Sequence, residues 1–113
     1  MPNGNSNQFR RRLPALERKI VEISADRDVR VRLTGMVIGV SESSLMMDDG
    51  TGKVEVLFDG PEALAGIREG QMVRIFARIL PLIDGFECRG ECVQNLEGFD
   101  MGLYEKARAI MVR

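Results

Sequence analysis

Apolar and polar residues alternate with a period of two through the middle of this chain, in short stretches separated by glycine and proline, which is the pattern of strands joined by turns. From Asp28 to Val40, Val29, Val31 and Leu33 alternate with Arg30, Arg32 and Thr34, and beyond Gly35 the apolar set moves to Met36, Ile38 and Val40. This spacing predicts one long strand whose inward phase slips by a residue at a glycine bulge, as a strand shared by both halves of a small closed barrel would require. Two separate strands are the competing reading. Ser44 to Asp48 and Lys53 to Asp59 give two more strands, with Val54, Val56 and Phe58 facing inward on the latter. Gly70 to Leu80 sets Val73, Ile75, Ala77 and Ile79 on one face against Arg74, Phe76 and Arg78 on the other, and Phe86 to Gln94 makes a fifth strand.

Helical signals fall in three places. Leu16, Ile20 and Ile23 sit at i, i+4 and i+7 after Pro14, which fits a short amphipathic helix or an extended segment laid on a barrel. Pro61 stands at a helix start after Asp59-Gly60, so a short helix running to Ile67 is expected between the third and fourth strands. Asp100 is a candidate N-cap for a last helix, in which Met101, Leu103, Tyr104, Ala107, Ile110 and Met111 form an apolar stripe. Strand, strand, strand, helix, strand, strand is the order of a five-stranded OB-fold barrel, an all-β class here expected to carry flanking helices. The chain then divides into a flexible basic tail over 1–12, a barrel with its lead-in segment over 13–98, and an interaction helix over 99–113.

The second and third strands are joined by Asp48-Asp49-Gly50-Thr51-Gly52. Gly50 and Gly52 can take the positive φ of a tight connection, while Asp49 and Thr51 can bond the free backbone groups of the turn. This turn, the Val54 and Val56 after it, the Val73-Arg74-Ile75-Phe76 strand and a helix directly after the fifth strand resemble the small OB-fold subunits of the replication protein A family. The resemblance runs from about Val29 to Arg113 and is nearest to archaeal single-OB members. It implies single-stranded-DNA binding on the sheet face of strands two and three, and assembly with a larger OB-fold subunit, or with itself, through the C-terminal helix. The role so implied is non-enzymatic: a weakly binding, complex-building subunit in DNA replication and repair. A telomere-end-protection subunit, a tRNA-binding OB module and a protein-interaction scaffold without DNA contact are the alternatives.

Charge sharpens this. The net charge is −1, so nucleic acid has no global basic surface to meet, and affinity must come from local patches and weaken with salt. Arg10, Arg11 and Arg12 form a basic run that either contacts phosphate or solubilises a tail. Arg30, Arg32 and Lys53 are expected on the outer face of strands one and three, as phosphate contacts or as members of cross-strand pairs such as Arg32 with Glu55. Arg74, Phe76 and Arg78 make a basic–aromatic–basic stripe suited to stacking and phosphate binding, unless Leu16 or Ile20 covers Phe76. Aromatics are only 5% of the chain, which leaves Phe76 and Phe86 as the exposed stacking candidates.

Histidine and tryptophan are absent. The commonest general base and metal ligand is thereby missing, Ser43 and Ser44 have no partner, and neither catalysis, nor a metal, nor a cofactor is expected. Asp48 and Asp49 read as turn-formers. Cys88 and Cys92, four apart on one strand, would lie ~13 Å apart, too far for a disulfide, and read as buried free thiols. No apolar run approaches the ~20 residues of a membrane span. The polar N-terminus lacks a signal-peptide core, so an intracellular protein is expected, cytoplasmic or nucleoid, or nuclear in a eukaryote.

Overall fold

Each stretch of period-two alternation is a strand in the computed structural model, which describes residues 14–96. The elements are β1 (Leu16–Glu17), β2 (Arg30–Val40), β3 (Ser44–Asp48), β4 (Lys53–Leu57), β5 (Met72–Leu82) and β6 (Gly85–Asn95). β2 pairs antiparallel with β3 towards its C-terminal end and with β5 along its first seven residues. β3 continues to β4, β4 meets β6 in parallel, and β6 returns antiparallel to β5. The ring β2-β3-β4-β6-β5 therefore closes on itself, the OB topology. Its interior holds Val31, Leu33, Val37, Leu45, Met47, Val56, Val73 and Ile75, all fully enclosed, each stabilising the fold by roughly 1.5–3 kcal/mol. Among the described residues no helix is long and apolar enough to cross a membrane.

The expected phase slip at Gly35 does not occur. Inward positions run unbroken through Val31, Leu33, Gly35 and Val37. Met36 and Ile38 face outward, 44% and 38% exposed, and Val40, past the extra residue Ile38, stands opposite the enclosed Leu45. Gly35 is needed for close approach instead. A Cβ there would stand 2.7 Å from the Asp48 carbonyl oxygen of β3 and 3.0 Å from Met47 Cγ. The irregularity of β2 lies further on, between Val37 and Gly39 opposite Met47 and Met46.

The flanking helices are corrected too. After Pro14 the chain runs extended, as β1 beside β2, then makes one 3-10 turn at Ile20–Glu22. Between β4 and β5 a four-residue 3-10 turn, Pro61–Leu64, replaces the expected helix and stops at the extended Ala65. So short a segment cannot offset helix nucleation, and one buried Leu64 closes the barrel end instead. No helix of the expected kind is present among the described residues. The segment assigned to the C-terminal amphipathic helix, 99–113 with Met101, Leu103, Tyr104, Ala107, Ile110 and Met111, lies outside them, so among the described residues the expected all-β fold with flanking helices is a closed barrel without those helices.

β6 carries a bulge that the sequence pattern did not reveal. Phe76 stands opposite Cys92 and Ala77 opposite Gly90, leaving Glu91 as the extra residue. The bulge turns Cys92 out to solvent while Cys88 stays inside, so only one of the two thiols is buried. Burial pushes the Cys88 thiol up to about 12. A thiol reagent at neutral pH is therefore expected to modify Cys92 quickly and Cys88 only after unfolding, a difference that mass spectrometry of the native and denatured chain would read.

Candidate nucleic-acid interface

The acidic turn binds the chain's own lead-in segment. Gly50 takes the left-handed conformation at φ 90°, whereas Gly52 does not, and Gly52 instead leaves room for the Ile20 side chain, which a Cβ would meet at 3.3 Å. Asp48 Oδ1 accepts the Gly50 N–H at 2.8 Å. Asp49 Oδ1 accepts the Thr51 N–H at 2.9 Å and the Thr51 hydroxyl at 2.6 Å, and its Oδ2 accepts the Ile20 N–H at 2.8 Å. Val21 N–H donates to Thr51 Oγ1 at 3.2 Å. Burial alone would raise the Asp49 carboxyl, but these bonds to Thr51, Ile20 and Gly52 outweigh it and hold the pKa below its ordinary value. Both carboxylates are thus turn and latch groups. No cluster of three His, Cys, Asp or Glu residues suited to a metal occurs among the described residues.

At the other end of the lead-in segment sits Asp28, its side chain wholly enclosed. Its carboxylate accepts Arg18 Nε at 3.1 Å and the Ser24 N–H at 2.9 Å, with Arg27 Nε 3.6 Å away. Desolvation raises its pKa, and the Ser24 bond with the two guanidinium charges more than reverses that, so the carboxyl is held low.

The expected cations are on outer faces but are not gathered into one site. Arg30 reaches across β5 to Glu91 at 2.7 Å, and Arg32 pairs with Glu17 at 3.0 Å rather than with Glu55. Arg89 holds Asp59 at 2.7 Å and Glu87 at 3.3 Å. Arg78 is exposed in the middle of a cross-strand row, directly opposite Arg30 on one side and Arg89 on the other. Arg74, Phe76 and Arg78 do share the outer face of β5, with Arg74 and Phe76 half-buried. Ile20 is not over Phe76 but in the core, and Leu16 is half exposed opposite Val31. Lys53 lies on β4, two strands round the barrel from β2 and opposite Asp48 of β3. Arg10, Arg11 and Arg12 fall outside the described residues.

Two surfaces were missed in the sequence. Met36 and Ile38 of β2 and Met46 of β3 make an outward apolar strip, with Met72 of β5 directly opposite Met36. An open groove of about 340 Å³ begins beside it, between Met36, Ile38, Met72 and the acidic turn. The alternation points Met36 and Ile38 inward if Gly35 is a bulge and outward if it is a close approach, and the Asp48 carbonyl against Gly35 decides for the second. The second surface is a cleft of about 360 Å³ between β4 and the β5–β6 hairpin, bordered by Lys53, Glu55, Leu82, Phe86 and Glu87. Ile83 at the hairpin tip is fully exposed.

No family model matches the chain, and no curated protein matches it by sequence. Solved structures share its fold. A chain of the S. pombe Stn1–Ten1 complex is 17% identical with a TM-score of 0.67, covering 88% of this chain and 93% of that one. The telomere capping protein Ten1 from S. pombe is 18% identical with a TM-score of 0.65, covering 87% of this chain and 97% of its own. The hypothetical protein ygiW from E. coli is 14% identical with a TM-score of 0.56, over 72% and 90% of the two chains. At these identities the likeness establishes an OB-like barrel.

Proposed function

We propose that this chain is a non-enzymatic, complex-building OB subunit that joins a larger OB-fold partner in an assembly acting on single-stranded DNA. The outward strip of Met36, Ile38 and Met46 carries the reading. Apolar side chains on a strand face, methionines among them, suit a protein partner, whereas a strand-binding face shows aromatics and unpaired cations. Here most arginines of the outer face already hold carboxylates, so direct DNA contact is weak and centres on Arg78 with Arg74 and Phe76 beside it. Arg30, Arg32 and the Arg10–Arg12 run serve as secondary phosphate contacts.

Two settings fit this role. The Asp48–Gly52 turn and the strand pattern favour a replication-protein-A-like complex in replication and repair. The Stn1–Ten1 and Ten1 likenesses favour end capping, with an OB-fold partner there as well.

The test compares the natural full-length chain with Ile38→Lys, each recovered from its own cells and assayed for oligothymidylate binding at two salt concentrations. The natural chain is expected to bring down a protein that mass spectrometry identifies as OB-fold, and Ile38→Lys to lose it. The chain by itself is expected to bind the oligonucleotide weakly, with affinity falling about one power of salt per phosphate neutralised. An Ile38→Lys variant that keeps the partner, or tight salt-resistant binding by the chain alone, would refute the proposal.

A further inference from the structure

The barrel wall is incomplete at one seam. β4 joins β6 only through Val56 opposite Cys88 and Leu57 opposite Arg89. Ahead of those pairs the two strands diverge, and the gap is the cleft bordered by Lys53, Glu55, Leu82, Phe86 and Glu87. The turn bond from Asp49 N–H to the Gly52 carbonyl and the bond from Phe58 N–H to the Ser43 carbonyl fix the phase of β4. With Gly52, Val54, Val56 and Phe58 bonded towards β3, the backbone groups of Lys53 and Glu55 point to the seam. The Val56–Cys88 pairing takes up the Glu55 carbonyl, while no strand pairs with the Lys53 backbone groups or the Glu55 N–H there among the described residues. An open strand edge of this kind is a template for one more strand.

The chemistry of the seam selects what can lie in it. Val54 and Phe86, both packed against the core, form an apolar floor, and Leu82 stands half exposed at one side. Among the charged groups, Glu55, Glu87 and Asp59 outnumber Lys53 and Arg89, and Arg89 already serves both Asp59 and Glu87. A phosphate backbone would meet excess negative charge there. An extended peptide would find backbone partners on β4, an apolar floor for alternate side chains, and carboxylates for basic residues between them.

We infer that the β4–β6 seam is a docking cleft for an extended peptide segment of a protein partner, apolar at alternate positions and basic at those between. The site is separate from the Met36–Met46 strip, and the inference stands whether or not that strip binds an OB-fold partner.

The experiment is amide NMR titration of the full chain with three probes. They are a short synthetic peptide alternating isoleucine and arginine, the same peptide with glutamate for arginine, and oligothymidylate. The basic peptide is expected to shift the amides of Lys53–Leu57 and Gly85–Cys88, and the acidic peptide to leave them in place. Glu55→Lys, an exposed substitution, should weaken the basic peptide about tenfold by putting like charge beside it. Leu82→Asp should weaken it also while leaving the remaining amide spectrum unchanged. Unmoved seam amides with the basic peptide would overturn the inference, and so would seam shifts caused by the oligonucleotide instead. Equal affinity for the basic peptide before and after Glu55→Lys would overturn it as well.

Discussion

Asp28→Ala is expected to destabilise the fold by about 2–4 kcal/mol, because it removes the one carboxylate that neutralises Arg18 and satisfies the Ser24 N–H inside the lead-in segment. The side chain of Asp28 is fully enclosed and that of Arg18 is 23% exposed, so the pair lies largely out of water. Asp28→Asn keeps the volume and one acceptor, and is expected to lose less. Urea unfolding of the three proteins gives the difference directly. A loss below about 0.5 kcal/mol for Asp28→Ala, within the range of ordinary surface changes, would mean that the pair adds nothing to the fold.

The same carboxylates set an acid limit. Asp28 and Asp49 both titrate lower in the folded chain than the 3.8 of a free aspartate. A lowered folded-state pKa stabilises the protein above the unfolded value, and that stability is lost as pH falls through the folded one. Stability is therefore expected to be flat near neutrality and to decline from about pH 4 downward, with a shallower decline in Asp28→Ala, which has lost one of the two groups.

These two anchors show where sequence legibility stopped. The strands were readable because a half-buried strand has a period of two that needs no tertiary information, and the barrel topology followed from their succession along the chain. The lead-in segment was not, because Leu16, Ile20 and Ile23 fit a helix as well as an extended path. The choice was made by bonds from Ile20 N–H and Val21 N–H to residues 29 and 30 positions away. Gly35 misled for a related reason: a glycine within a strand can mark a bulge or a close approach, and only the Asp48 carbonyl against it decides which. That single ambiguity conceals the Met36–Ile38 strip, and with it the apolar rather than charged character of the outward face at this end of β2. The ion pairs that occupy Arg30, Arg32 and Arg89 depend on Glu91, Glu17 and Asp59 lying on neighbouring elements, which no local pattern encodes.

Gly90→Ala is expected to be a severely damaging one-carbon change. The Phe58 ring lies against Gly90, and a Cβ at this position would overlap three of its ring carbons. Phe58 is itself only 6% exposed and belongs to the core with Val56, Leu64 and Cys88, so moving the ring disturbs packed neighbours. Overpacking of this kind costs about 1–3 kcal/mol where the neighbour can yield and more where it cannot. About 3 kcal/mol is expected here, since β6 is pinned on both sides by β5 and by its pairs with β4. A double-mutant cycle identifies the cause. Phe58→Leu alone opens a void and destabilises by about 1–2 kcal/mol, a fraction of a full Phe→Ala truncation. In the Gly90→Ala background the smaller side chain makes room for the new methyl, so the double variant should be at least as stable as Gly90→Ala alone. The coupling would then exceed about 1 kcal/mol, well above the few tenths seen for independent sites. Additive losses would place the damage of Gly90→Ala elsewhere, in the backbone of the bulged strand rather than in the ring that lies over it.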